Sequence, residues 1–139
     1  MTSVNDWNQK VIAEFRSSGG KLSGPFEGAP VLLLTTTGAK TGGKHTTPTM
    51  YLAEGDRLAI FASKSGAPTN PDWYHNLVAN PRATVEVGTE VFDVDAEVAG
   101  SKERERLYAI QAERYPGFAE YEQETTRVIP VVLLTRVPA

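Results

Sequence analysis

The run ATVEVGTEVFDVDAEVA, from Ala83 to Ala99, constrains the fold more than any other segment. Apolar and polar residues alternate on both sides of Gly88-Thr89, as two antiparallel strands with one buried face and a tight turn require. A second hairpin pattern surrounds Glu54-Gly55-Asp56 in TTPTMYLAEGDRLAIFAS. APVLLLTTTG, bounded by Pro30 and Gly38, reads as a buried strand. VIPVVLLTRV reads as the last strand, with Pro130 expected to set one end on an edge or bulge.

Helical patterns separate these strands. Trp7, Val11, Ile12 and Phe15 form one apolar stripe after a Ser3 or Asn5 cap, and Gly19-Gly20 ends it. Asn70-Pro71-Asp72 starts a helix that runs to Ala79, with Asn70 expected to cap its free amides. KERERLYAIQAERY, after Ser101, is helical and charged on one side. Pro116-Gly117 breaks it, and FAEYEQETT adds a further turn. The order α, β, β-β, α, β-β, α, β lacks regular βαβ alternation. The expected class is therefore mainly β with flanking helices: about six strands in antiparallel hairpins, curled into a small barrel. The 139 residues suit one domain, with an N-terminal helix over 1–20 and the barrel and its helices over 30–139.

Composition excludes several classes. A net charge of −3 argues against nucleic acid, which needs a dense basic surface. The absence of cysteine removes disulfides and thiolate chemistry, and His45 and His75 lack metal-ligand spacing, so no metal site is expected. The apolar runs VLLL and VVLL fall far short of the ~20 residues of a membrane span, and the N-terminus has no signal-like apolar region. A cytoplasmic protein is expected, with peripheral membrane contact left open.

Two segments carry candidate chemistry. TTTGAKTGGKHTTP, Thr35 to Pro48, is read as a Gly-rich turn holding Lys40, Lys44 and His45. It suits either an anion, through backbone amides and cations, or solvent as a plain hairpin loop. FASKSGAPTNPDWYHNL, Phe61 to Leu77, sets a polar strand end beside Trp73, Tyr74 and His75. It suits a flat ring, or else Trp73 is core. Tyr115, Phe118 and Tyr121 recur at i, i+3 and i+6, as a pocket wall or as core.

Together LLLTTTGAKTGGKHTTPTMYL, ASKSGAPTNPDWYHNLVANPRATVEVG and YPGFAEYEQETTRVIPVVLL resemble the deazaflavin-dependent nitroreductases, split-barrel oxidoreductases of actinobacteria related in fold to FMN-binding barrels. The resemblance implies a reductase that passes a hydride from reduced coenzyme F420 to quinones, nitro compounds or activated enones. A non-catalytic carrier, or an FMN-binding variant, is the alternative. It implies that Ala39, Lys40, Thr41, His45, Thr46 and Thr47 hold the coenzyme's phosphate and polyglutamate tail. Pro48 and Met50 would line the deazaflavin, and Phe61, Ala62, Ser63, Lys64, Asp72, Trp73, Tyr74, His75 and Asn76 would contact its ring or linker. His45 stands where relatives often have Arg, which makes the charge there pH-dependent. Ser63 is implied as a donor to the acceptor's developing oxyanion, with Tyr115, Phe118 and Tyr121 walling the acceptor pocket. Phe118 replaces the Tyr of nitroimidazole-reducing relatives.

Overall fold

The alternating run folds as expected: β4 (Arg82–Val87) and β5 (Glu90–Val98) pair antiparallel, with Val87 opposite Glu90 across Gly88-Thr89. The computed structural model describes residues 4–24, 27–66 and 69–138. With β1 (Val31–Thr37), β2 (Lys44–Glu54), β3 (Arg57–Phe61) and β6 (Val131–Arg136), these strands close a barrel in the order β1-β2-β3-β6-β5-β4. Every pairing is antiparallel. The helices are α1 (Val4–Ser18), α2 (Asp72–Ala79), α3 (Ser101–Arg114) and α4 (Gly117–Glu124).

Strand alternation divides the apolar residues between two faces of the wall. Leu32, Leu34, Ile60, Val85, Val94, Val132 and Leu134 fill the interior, joined by Trp73 and Leu77 of α2. Their neighbours point outward and are covered by helices. Leu33 meets Ile12 and Phe15 of α1, while Ala59, Phe61, Val131 and Leu133 meet Leu107 and Tyr108 of α3 and Phe118 of α4. Burial on both faces explains why VLLL and VVLL are continuous apolar runs rather than alternating ones.

Four expectations are corrected. Trp7 is 42% exposed, so the buried stripe of α1 is Val11, Ile12 and Phe15. Ser3 lies outside the described residues, and Asn5 falls inside α1 rather than at its cap. Pro130 is not on an edge: β6 lies between β3 and β5, and Pro130 precedes it, its carbonyl accepting from the Ala62 amide at 2.9 Å. The missing Pro N–H falls before the ladder begins. Helix α2 starts at Asp72 with Pro71 at the cap position, but no side chain caps it. Asn70 uses its oxygen elsewhere, as described below.

Gly20 lets the end of α1 close on the β4–β5 turn. A Cβ there would sit 2.7 Å from the Gly88 Cα, and its φ of +95° favours glycine independently. Among the described residues no helix is long and apolar enough to cross a membrane, and no acidic, His or Cys cluster is arranged for a metal.

Candidate active site

The β1–β2 pair extends past the barrel as an arm. Its register runs from Val31 opposite Met50 to Thr37 opposite Lys44, whereas β4 accompanies β1 only over Leu33–Thr35 and β3 accompanies β2 only over Tyr51–Glu54. Pro48 falls where β2 has a neighbour on one side only, so its missing N–H breaks no bond to β3. The connecting turn is shorter than the Thr35–Pro48 expectation. Gly38 N–H donates to the Gly43 carbonyl at 2.7 Å and Gly42 N–H to the Gly38 carbonyl at 3.0 Å, so His45, Thr46 and Thr47 belong to β2. Threonines suit a strand through their β-branching, and the Thr35 and Thr46 hydroxyls lie 2.8 Å apart across the pair.

Helix α2 holds this arm in place through asparagine. Asn76 Nδ2 donates to Thr36 Oγ1 at 3.0 Å, and Asn76 Oδ1 accepts from the Ala39 amide at 3.0 Å. Both Asn76 and Thr36 are buried. Asn80 Nδ2 donates to the Thr37 carbonyl at 3.4 Å one turn later.

Between arm, α2 and α1 lies a cavity of about 820 Å³. It brings together Ala39, Lys40, Thr41, His45, Thr46, Thr47, Asp72, Trp73, His75 and Asn76. Thr36, Gly38 and Lys44 line it too, with Asn8 and Gln9 of α1. The α1 residues had no signal in the sequence, because nothing in a polar helical face says what lies opposite. Lys44 Nζ donates to Thr37 Oγ1 at 2.8 Å. Lys40 has no acidic partner, and the Lys40 and Thr41 amides have no hydrogen-bond partner, among the described residues. Trp73 packs into the interior cluster, as the core reading expects, and also lines the cavity.

Pro48, Met50, Phe61, Ala62, Ser63, Lys64 and Tyr74 do not line this cavity. Met50 and Phe61 instead share one apolar cluster with Tyr115, Phe118 and Tyr121. Phe118 meets Phe61 edge-on at 5.6 Å and Tyr121 at 5.3 Å between ring centroids. Beside this cluster the chain turns sharply at Lys64–Gly66, with Lys64 at φ 48° and Gly66 at φ +81°. A Cβ on Gly66 would meet Tyr121 Cα at 3.3 Å and Glu124 Oε2 at 2.5 Å, so glycine lets α4 lie against the turn. Lys64 holds a left-handed conformation uncommon for a non-glycine residue.

Ser63 is 8% exposed, and its hydroxyl has no hydrogen-bond partner among the described residues. Its carbonyl, like that of Ala62, accepts from Arg127 Nη2, at 2.9 and 3.0 Å respectively. Arg127 Nη1 reaches the Asn70 Oδ1 at 2.6 Å, which is why Asn70 is not a helix cap. Burial holds the guanidinium below its ordinary pKa. Arg127 thus ties the end of β3, the start of α2 and the chain after α4 together.

The fold and the sequence belong with known reductases. The model of the F420H(2)-dependent quinone reductase family matches residues 7–136. The F420H(2)-dependent quinone reductase Rv1261c of Mycobacterium tuberculosis is 42% identical over 128 residues, which is 89% of this chain and 86% of that one. A solved F420-H2 dependent reductase, FDR-A, is 42% identical with a TM-score of 0.69, covering 76% of this chain and 93% of its own. A further solved structure, a domain-swapped dimer, is 36% identical with a TM-score of 0.71, covering 95% and 99%. The chain belongs to the F420H(2)-dependent quinone reductase family. It is a reductase dependent on coenzyme F420, built on a six-stranded antiparallel barrel.

Proposed function

We propose that the protein reduces quinones to hydroquinones with reduced coenzyme F420, and that the cavity beside the β1–β2 arm receives the coenzyme's anionic tail. Its lining supports this reading: among the described residues the cation of Lys40 has no carboxylate partner, and the two neighbouring backbone amides have no acceptor. Backbone amides and an ammonium group are what an oxyanion-rich chain needs, and a cavity of about 820 Å³ suits a ligand of that size. When bound, the reduced coenzyme supplies a hydride. Reduction of a quinone to its hydroquinone would require that hydride and one proton, which account for both electrons and both hydrogens.

The chain's own residues bind, orient and polarise. Lys40, Lys44 and the Ala39–Thr41 turn would hold the tail, with His45, Thr46 and Thr47 along the strand. Asp72, Trp73, His75 and Asn76 of α2 close the opposite side, with Tyr74 beside them. Pro48, Met50 and the Phe61–Lys64 stretch would border the ring. The Ser63 hydroxyl is the donor to the acceptor's developing oxyanion, a role worth roughly 10²-fold in kcat where geometry is good. Tyr115, Phe118 and Tyr121 form the apolar wall for the acceptor. Family membership favours turnover over a carrier role. Stopped-flow oxidation of reduced F420 against menadione tests the reading directly: no acceptor-dependent oxidation by the purified protein would sink it.

A further inference from the structure

Helix α3 buries one face, which carries Arg104, Leu107, Tyr108 and Gln111. The polar groups of that face are satisfied except at one residue. Arg104 donates to the Ile129 carbonyl at 2.8 Å and pairs with Glu105 and Glu122, and the Tyr108 hydroxyl donates to the Phe118 carbonyl at 2.7 Å. Gln111 is 0% exposed, and among the described residues neither its side-chain nitrogen nor its oxygen has a partner. Burying an amide without hydrogen bonds is unfavourable and rare, and a Met or Leu of similar bulk would fill the same space without that cost.

The neighbourhood of Gln111 is aromatic. Tyr108 precedes it by one turn, and Tyr115, whose amide donates to the Gln111 carbonyl, follows it by one turn at the end of α3. Phe118 packs edge-on against Tyr108 from α4, which is only two turns long and joined to α3 through Tyr115-Pro116. A buried, unpaired amide thus shares one helix face with Leu107 and Tyr108, which belong to the cluster that holds Met50, Phe61, Tyr115, Phe118 and Tyr121.

We infer that Gln111 is an acceptor-recognising residue, its side-chain amide hydrogen-bonding the oxygen of a quinone seated between α3 and α4. The inference rests on the quinone-reduction reading. An amide is suited to both ends of that reaction, since its N–H donates to a quinone carbonyl and its oxygen accepts from the hydroquinone hydroxyl. A carboxylate or an ammonium group serves only one of the two. Entry of the acceptor moves α4 at its joint with α3, and the acceptor oxygen supplies the partner that Gln111 lacks.

The test is Gln111→Met, with Gln111→Leu as the second variant. Coenzyme affinity is read by fluorescence titration, kcat/KM by menadione turnover, and acceptor binding by the thermal shift that menadione causes in coenzyme-free protein. The expected result is an unchanged or higher Tm, unchanged coenzyme affinity, a menadione kcat/KM lower by at least about tenfold, and a diminished thermal shift. Unaltered kcat/KM and thermal shift in either folded variant overturn the inference. So does loss of coenzyme affinity, or failure of both variants to fold, which makes Gln111 a packing residue. A parent protein inert toward menadione defeats the proposed reaction instead, and the thermal-shift comparison still reads Gln111 separately.

Discussion

Asn76 donates its side-chain amide to the Thr36 hydroxyl at 3.0 Å, joining α2 to the β1–β2 arm across one side of the cavity. The same amide's oxygen takes the Ala39 N–H, so one residue ties the two walls together twice. Asn76→Leu removes both bonds and leaves Thr36 and Ala39 unpaired. Stability should fall by about 1–3 kcal/mol, and coenzyme affinity should fall with it. Urea denaturation and fluorescence titration on one preparation check both, and full affinity in a destabilised variant would separate the clamp from binding.

Lys40→Ala should weaken coenzyme binding on the order of three- to tenfold at low ionic strength, with the difference shrinking as salt is added. Lys40 has no acidic partner among the described residues, so its removal frees no buried carboxylate and stability should hold. Equal affinities of variant and parent at low salt would move the tail away from this turn.

Arg127→Lys tests the tie between β3, α2 and the chain after α4. A single ammonium group cannot reproduce the fork that reaches Asn70, Ala62 and Ser63 together. The variant should lose about 1–3 kcal/mol and lose turnover more than coenzyme affinity, because the backbone carrying Ser63 loosens. Unchanged kcat would mean that the Ser63 position does not depend on this anchor.

Phe118→Tyr places a hydroxyl in a cluster of Phe61, Tyr108 and Tyr121. Nitroimidazole turnover should rise relative to menadione turnover while coenzyme affinity holds. The cost should be about 1–3 kcal/mol of stability. Measuring both acceptor rates with a denaturation curve decides it, and an unchanged rate ratio would assign Phe118 to packing alone.

Burial raises the Tyr108 phenol above its ordinary value of 10.0, keeping the neutral form that donates to Phe118. The folded protein then retains a proton that the unfolded chain releases, so this contribution is complete below pH 10.0 and is lost as the pH climbs beyond it. Tyr108→Phe should flatten the alkaline fall in stability. Parallel denaturation curves from pH 8 to 11 are the measurement, and identical slopes would refute the link.

The barrel was legible in the sequence because its signals are local. ATVEVGTEVFDVDAEVA sets its own register, and glycine-bearing turns mark both hairpins. Lys40 and Trp73 stood out because a cation in a glycine-rich turn and an aromatic beside a polar strand end are unusual, whereas Thr41 was carried only by the family resemblance; all three line the cavity. Asn70 misled because its residue type suits a helix cap, and only the tertiary fold brings Arg127, far along the chain, to claim its oxygen. Asn8 and Gln9 were hidden for the same reason, since their place at the cavity depends on how α1 packs. Gln111 was not singled out in a segment that reads as a helix charged on one side, because a lone polar residue gives no sign that it lies on the buried face of α3.

The half of β2 from Lys44 to Met50 is bonded to β1 alone, while the strands around the interior cluster have neighbours on both sides. An element of this kind can detach from α2 without melting the wall, at a free energy below that of global unfolding. Amide hydrogen exchange should therefore be quicker along the arm than along β6. For a ligand held in the cavity, the expected consequence is a dwell time set by how often this arm opens, a rate that substitutions at Asn76 or Asn80 should tune while the barrel stays folded.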